Sequence, residues 1–335
     1  MLRLQFKIVF LIVYLLSVGC QNYETINIFG QTMGTDYTVS IINQKNKIVD
    51  VQLLQHQVDS LLIEVNNIFS NYIDSSEINN INRHLSTKAI NISSEMAEVM
   101  GTAIMIYELS GGKFDITIKP LMDIWGFGED YDTSQFPSDK LIKKTKEYVG
   151  FEKLLLKNNT LKKSNKLIQI DLNAIAKGWG IDKISEFIHK RGFNRYMVEI
   201  GGEISVSGKN KYNKNWGIGI PIPEYLQSEL YTIINLSNLS VATSGSYNNF
   251  FNFEDVNYSH IIDPESGYPI KHDLVSATVV TKSCAFADAI ATTVMVMGFN
   301  EGLNWVRTLP DVECLLIGRG EDGNYTTVKS EGFNY

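Results

Sequence analysis

The chain is poor in cysteine. It has three, Cys20, Cys284 and Cys314, with no Cys-x-x-Cys pair and no Cys/His cluster, so the ligand sets of zinc and iron–sulfur centres are missing. The histidines, His56, His84, His189, His260 and His272, are scattered. Prolines number seven in 335 residues, and no Pro/Ser/Gly-rich linker divides the chain, which favours a single domain over two. Two common nucleotide cradles are absent as well. There is no G-x-G-x-x-G between a strand and a helix and no Walker A run, so any nucleotide must be held in another way. Positive charge is in deficit, 30 Lys and Arg against 37 Asp and Glu for a net charge of −7, which argues against nucleic acid as the main partner.

Long apolar runs are lacking too, except at the start. "MLRLQFKIVFLIVYLLSVGC" sets Arg3 and Lys7 before an apolar stretch from Ile8 to Leu16 and ends in small residues and Cys20. The stretch is short for a membrane span and fits the core of a signal peptide. A cleaved signal with an incidental cysteine is one reading. "LLSVGC" also resembles the bacterial lipobox, in which the cysteine is lipidated, although Ser17 stands where leucine is commonest. The expected boundaries are a lipoprotein signal peptide at 1–19, a lipid anchor and short tether at 20–27, and the functional domain at 28–335. Gln21 is not the aspartate of the usual inner-membrane retention signal. The expected location is therefore the periplasmic side of a bacterial envelope, with the protein exported and membrane-anchored.

Beyond the tether, "NIFGQTMGTDYTVSII" reads as a strand with a glycine kink. "DVQLLQHQVDSLLIEVNNIFS" has helical apolar spacing with Asp50 as N-cap, "NYIDSSEINNINRH" reads as a polar link, and "SSEMAEVMGTAIMIYELSGG" is a second helix closed by a double glycine. "KLIQID" reads as a strand leading into a third helix, "DLNAIAKGWGIDKISEFIHKRG". Strands dominate after that, until "SCAFADAIATTVMVMG". Long helices among antiparallel-looking strands predict an α+β fold, one catalytic domain of mixed, largely antiparallel sheets with packed helices.

Three polar segments interrupt this pattern: "GGKFDITIKP" with Asp115 in a β-like run, "IDLNAIAKGWG" with Asp171 and Lys177, and "YSHIIDPESGYP" with His260 and Asp263. Taken singly, each has a structural explanation, such as a helix cap or a turn opener. The late helix is more telling, because it carries an acid on an apolar stretch. Asp288 and Thr292 are four apart and share a face. A carboxylate and a hydroxyl are hard donors that suit Mg²⁺. The alternative is that Thr292 back-bonds its own helix and Asp288 meets a lysine.

In collinear order, "MGTDYTVSI", "FSNYIDSSEIN", "GGKFDI", "IDLNAIAKGWGID", "VEIGGEI", "VATSGSY", "YSHIIDPESGYPI" and "ADAIATTVMVMG" resemble the FAD:protein FMN transferase (ApbE) family. The resemblance implies an ApbE-like, T-fold-related domain and a Mg²⁺-dependent reaction. In that reaction FAD is cleaved, FMN is joined by a phosphoester to a Thr or Ser of a target protein, and AMP is released. It also implies FAD contacts at Met33, Tyr72, Lys113, Phe114, Asp115, Asp171, Lys177 and Ile262. Metal ligation would fall to the Ala174 carbonyl, Asp288 and Thr292, with His260 acting on the acceptor hydroxyl. The implied partners are flavin-accepting subunits of membrane redox complexes, such as a Na⁺-translocating quinone reductase. One departure is Ala291, where some members carry a second aspartate; the metal then has one protein carboxylate fewer and leans more on FAD phosphate oxygens. The competing readings are a FAD pyrophosphatase giving FMN and AMP, and a non-enzymatic FAD-binding lipoprotein.

Overall fold

The computed structural model describes residues 23–128, 136–224, 229–246, 250–253, 256–320 and 322–335. The expected signal peptide and Cys20 lie outside the described residues. The stretch read as one kinked strand is a hairpin of β1 (Tyr23–Thr32) and β2 (Thr35–Gln44). It reverses at Met33 and Gly34, whose φ angles of 50° and 73° give the two-residue turn that matches strand twist. In α1 (Val51–Phe69) Asp50 accepts from the Leu53 amide, and Leu54, Val58, Leu62 and Val65 are buried. The supposed polar link contains α2 (Glu77–Arg83), capped by Ser76. Its Asn82 explains a second departure from expectation. Residues 168–171 join no ladder; the Asn82 amide donates to the Ile170 carbonyl (2.9 Å) and accepts from its N–H (2.7 Å). A side chain there replaces a neighbouring strand.

A short strand β3 (Ile90–Asn91) precedes α3 (Ser94–Leu109), which Ser93 caps. The run around Asp115 is no strand. Asp115 accepts from the Thr117 amide at 2.8 Å and winds Ile116–Ile118 into a 3₁₀ turn that runs on into α4 (Lys119–Ile124). Then come α5 (Asp139–Thr145), β4 (Leu154–Lys157) and β5 (Thr160–Lys163), the last two pairing with β3 in a small sheet. α6 (Asn173–Lys190) leads to the hairpin β6 (Tyr196–Ile200) and β7 (Glu203–Ser207). β8 (Trp216–Pro221) pairs with β9 (Leu230–Leu236), and β10 (Leu239–Gly245) follows. β11 (Phe250–Phe253) pairs with β12 (Val256–Ser259). The chain ends with β13 (Leu274–Thr281), α7 (Cys284–Met297), α8 (Phe299–Val306), β14 (Glu313–Arg319) and β15 (Tyr325–Lys329).

The central sheet runs β1-β2-β6-β7-β10-β13-β14-β15, antiparallel at every pairing. Strand alternation sends Val39, Ile41, Ala277 and Val279 to the face covered by α1, α6 and α7. Ile42, Val280, Leu315 and Ile317 point to the other face, under the β8–β9 ribbon. This is the expected α+β arrangement. Cys284 and Cys314 are both free and buried, so the bridge that the sequence left open is not formed. Among the described residues no helix is long and apolar enough to cross a membrane.

Candidate functional site

Two features bring the chemistry together. The first is the crossing of α6 and α7. A Cβ built on Gly178 would lie 2.4 Å from the Cys284 carbonyl oxygen, so only glycine lets the two helix backbones approach this closely. At one side of the crossing Asp182 accepts from the amides of Cys284 (2.9 Å) and Ala285 (3.0 Å) and from the Ser283 hydroxyl (2.8 Å), capping α7. At the other side Asp288 accepts from the Gly178 amide at 3.1 Å. The second feature is the β6–β7 turn. Gly201 and Gly202 have φ angles of 60° and 102°, which turn the chain in two residues and set Glu203 beside α6.

These elements line a cavity of about 770 Å³, within the usual size of small-molecule sites. Tyr72, Lys113, Phe114, Asp115, Asp171 and Ala174 line it, as do Lys177, His260, Ile262, Asp288 and Thr292. Residues expected from five separate segments therefore share one space. Met33 does not line it. It packs against the core beside Gly180. Cys20 lies outside the described residues.

The cavity has an ionic floor. Lys177 Nζ lies 3.2 Å from Glu203 Oε1, and Asp288 and Glu203 are both buried. The nearby Asp288 carboxylate, and next Glu203, hold Lys177 well above the ordinary lysine range. Burial pushes the Glu203 carboxyl up to about 8 against the pull of Lys177, and burial likewise raises Asp288. Two buried carboxyls around one ammonium leave one negative charge in excess, and desolvation answers it by favouring a proton on the pair. Asp171 is raised by burial too, although it accepts from the Asn173 amide (2.7 Å) and Asn71 (2.8 Å).

The mouth is aromatic and basic. Tyr72 is 82% exposed, and Phe127 meets His260 edge to face with ring centroids 6.3 Å apart. Lys113 contacts Glu265 at 2.7 Å and Asp263 at 3.6 Å. Ile262 is fixed by an isolated bridge to Pro269.

A divalent cation fits the donor set beside Asp288. Thr292 does not back-bond its own helix; Thr293 does, to the Ala289 carbonyl, while Thr292 Oγ1 lies 3.0 Å from Ser244 Oγ at the cavity. The Gly178 amide is the one that helical i→i−4 geometry would direct at the Ala174 carbonyl. That amide donates to Asp288 instead of to the helix alone, and Ala174 itself lines the cavity. Carboxylate, hydroxyl and carbonyl are all hard oxygens, and few in number, as suits Mg²⁺ sharing its shell with substrate phosphates. Among the described residues no group of three His, Cys, Asp or Glu forms a self-sufficient metal centre.

Sequence reasoning overlooked Glu203, Thr243, Ser244 and Phe127, which also line the cavity. For Glu203 the signal was present: "EIGGEIS" puts an acid directly after a double glycine, at the start of a strand whose next residues are buried.

Residues 33–316 match the ApbE family. A FAD:protein FMN transferase of Vibrio cholerae is 39% identical over 310 residues, covering 92% of each chain. One of Haemophilus influenzae is 32% identical over 326 residues, 95% of this chain and 94% of its own. Among solved structures, the flavin transferase ApbE from Vibrio cholerae superposes with a TM-score of 0.85 at 37% identity, over 93% of this chain and 98% of its own. The Pseudomonas stutzeri flavinyl transferase ApbE in its apo form gives 0.85 at 28% identity, over 93% and 96%.

Proposed function

The chain belongs to the ApbE family, and on that premise we propose that it is a FAD:protein FMN transferase. It cleaves FAD with Mg²⁺, joins FMN to a Thr or Ser hydroxyl of a target protein, and releases AMP. The observation that carries the reading is the convergence of Lys177, Asp288, Thr292 and His260 on one cavity that also exposes Tyr72 and Lys113. Tyr72 and Phe127 offer ring faces for stacking on flavin or adenine. Lys113 and Lys177 supply positive charge to the pyrophosphate, and Lys177 is held in its charged form by Asp288 and Glu203.

Asp288, Thr292 and the Ala174 carbonyl would hold Mg²⁺, which supplies charge neutralisation on the phosphates during transfer. The acceptor hydroxyl oxygen attacks the phosphorus on the FMN side. The bond from that phosphorus to the AMP oxygen breaks, and AMP leaves with the electron pair. His260, an imidazole lining the cavity, takes the hydroxyl proton as general base. With Ala291 in place of a second acid, the metal would have one protein carboxylate fewer and lean more on FAD phosphate oxygens.

Incubation with FAD, Mg²⁺ and a peptide carrying the acceptor threonine tests this by mass spectrometry. A covalent FMN adduct supports the transferase. Free FMN and AMP without adduct would make it a hydrolase, and intact FAD a carrier. His260→Ala should retain FAD binding and slow transfer; an unchanged transfer rate removes its role. The reading extends to location and partners: export, anchoring through lipidated Cys20, and flavin-accepting subunits of membrane redox complexes as targets. Palmitate labelling lost in Cys20→Ala tests the anchor.

A further inference from the structure

The end of the central sheet opposite the cavity has a different character. The start of β1 pairs with the end of β2 (Tyr23 with Gln44), β2 pairs with the start of β6 (Ile41 with Tyr196), and β6 with the end of β7 (Tyr196 with Ser207). One edge of the molecule therefore gathers the β2–α1 turn, residues 193–195 before β6 and the β7–β8 loop. In a protein of net charge −7, these three segments carry Lys45, Lys47, Arg195, Lys209, Lys211 and Lys214. All but half-buried Arg195 are exposed.

Three of the six are posed on aromatic rings. Arg195 lies 4.4 Å over Tyr23, Lys47 lies 4.3 Å over Phe193, and Lys211 lies 5.1 Å over Tyr212. Arg195 also donates to the Lys209 carbonyl at 2.7 Å and to that of Asn210, which ties the loop to the strand ends. The nearby acids have other work. Glu24 accepts from Asn43, Asp50 caps α1, and Glu186 pairs with Lys190. Among the described residues none of the six cations makes an ion pair. Apolar side chains protrude from the same turns: Ile48 is 99% exposed and Tyr212 59%. Basic residues interleaved with a protruding aliphatic and a tyrosine match what an anionic bilayer surface takes up at headgroup depth.

The occupant follows from the chain's path. Only Gln21 and Asn22 separate Cys20 from Tyr23, a reach of about 10 Å when extended. This step rests on the reading of Cys20 as the anchor. We infer that this basic edge is a membrane-docking face that seats the domain on anionic lipid beside its own anchor. The seating orients the molecule. The cavity lies at the far end of β7, whose five residues, Glu203–Ser207, span roughly 15 Å. Docking therefore holds the cavity at that height above the bilayer, in reach of an acceptor segment standing above the membrane and not one lying in it.

The test uses mature protein isolated from membranes, its Cys20 modification read first by intact mass, so that a failure of the anchor reading is seen separately. Hydrogen exchange is then followed on vesicles of phosphatidylcholine alone and with about one-third phosphatidylglycerol. Amides of 44–48 and 208–215 should slow several-fold only on the anionic vesicles. The slowing should vanish at ~0.5 M salt, where screening is within a few ångströms. Lys45→Glu combined with Lys47→Glu, Lys209→Glu and Lys211→Glu should abolish it while soluble peptide flavinylation stays unchanged. If Cys20 proves unmodified, flotation with the anionic vesicles should still fall roughly fivefold per lysine removed. Equal exchange on both vesicle types overturns the proposal, as does slowing that needs an added protein or nucleic acid in place of anionic lipid.

Discussion

Asp182 and Asp288 sit on opposite sides of one helix crossing and are near mirror images. Each is a carboxylate reaching from one helix to the backbone of the other, Asp288 buried and Asp182 half-buried. They differ in what remains after the protein has used them. Asp182 takes three donors from the first turn of α7, the amide and hydroxyl groups that a helix start must satisfy. Asp288 takes one amide, shares an ammonium with Glu203, and faces an open cavity. Burial raises both above the ordinary aspartate range. Desolvation alone therefore does not separate a structural acid from a functional one. Unspent acceptor capacity pointed at a cavity does.

The comparison is broken most sharply by Asp288→Ala. Under the proposed chemistry, kcat/KM for metal-dependent transfer should fall by about 10²–10³-fold or more, equivalent to roughly 3–4 kcal/mol of barrier. The variant should still fold, because Glu203 remains to pair with the buried Lys177 ammonium. Full activity in the variant would remove the metal assignment. Next in size is Gly178→Ala, which attacks both aspartates at once. The new methyl meets backbone at Cys284 and has no flexible side chain to push aside. Thermal melts should show a loss of about 3 kcal/mol, with activity falling only as far as the crossing opens. Asp182→Ala should come third, at about 2 kcal/mol, the upper range for losing a helix cap. Flavin transfer measured well below the melting temperature should stay within a few-fold of the parent. A wild-type melt paired with a dead enzyme would reverse the two roles.

Much of this was legible in the chain. Asp288 and Thr292 stood out because helical periodicity makes i and i+4 neighbours, and that spacing survives folding unchanged. Helix starts were legible for the same local reason: Asp50 and Ser93 each accept from an amide three residues on. What was missed depends on partners far away in sequence. The extended run ending at Asp171 reads as a strand by composition, yet Asn82, 88 residues earlier, satisfies its backbone. Asp115 sits among β-formers, but its own side chain bonds the Thr117 amide and hydroxyl and winds a turn. Glu203 could not be weighed without knowing that Lys177 and Asp288 converge on it. Met33, expected as a FAD contact, sits in a left-handed turn and packs against the core.

Glu203 gives the smallest effect and the finest test of the comparison. In the unfolded chain it titrates near 4.5, whereas burial in the fold moves it to about 8. Between those values the folded protein holds a proton that the unfolded chain has released. The unfolded state then binds fewer protons, so stability must fall as pH rises through that window, by at most about 1.4 kcal/mol per pH unit. The contribution is fully present below 4.5, is lost progressively up to about 8, and is flat beyond. Glu203→Gln keeps the shape of the neutral acid and cannot release a proton. Its melting temperature should vary less between pH 5 and 8 than that of the parent, with the two curves closest at the acid end. Parallel curves would mean that Lys177 keeps Glu203 ionised throughout. The excess negative charge would then rest on both carboxylates beside Lys177.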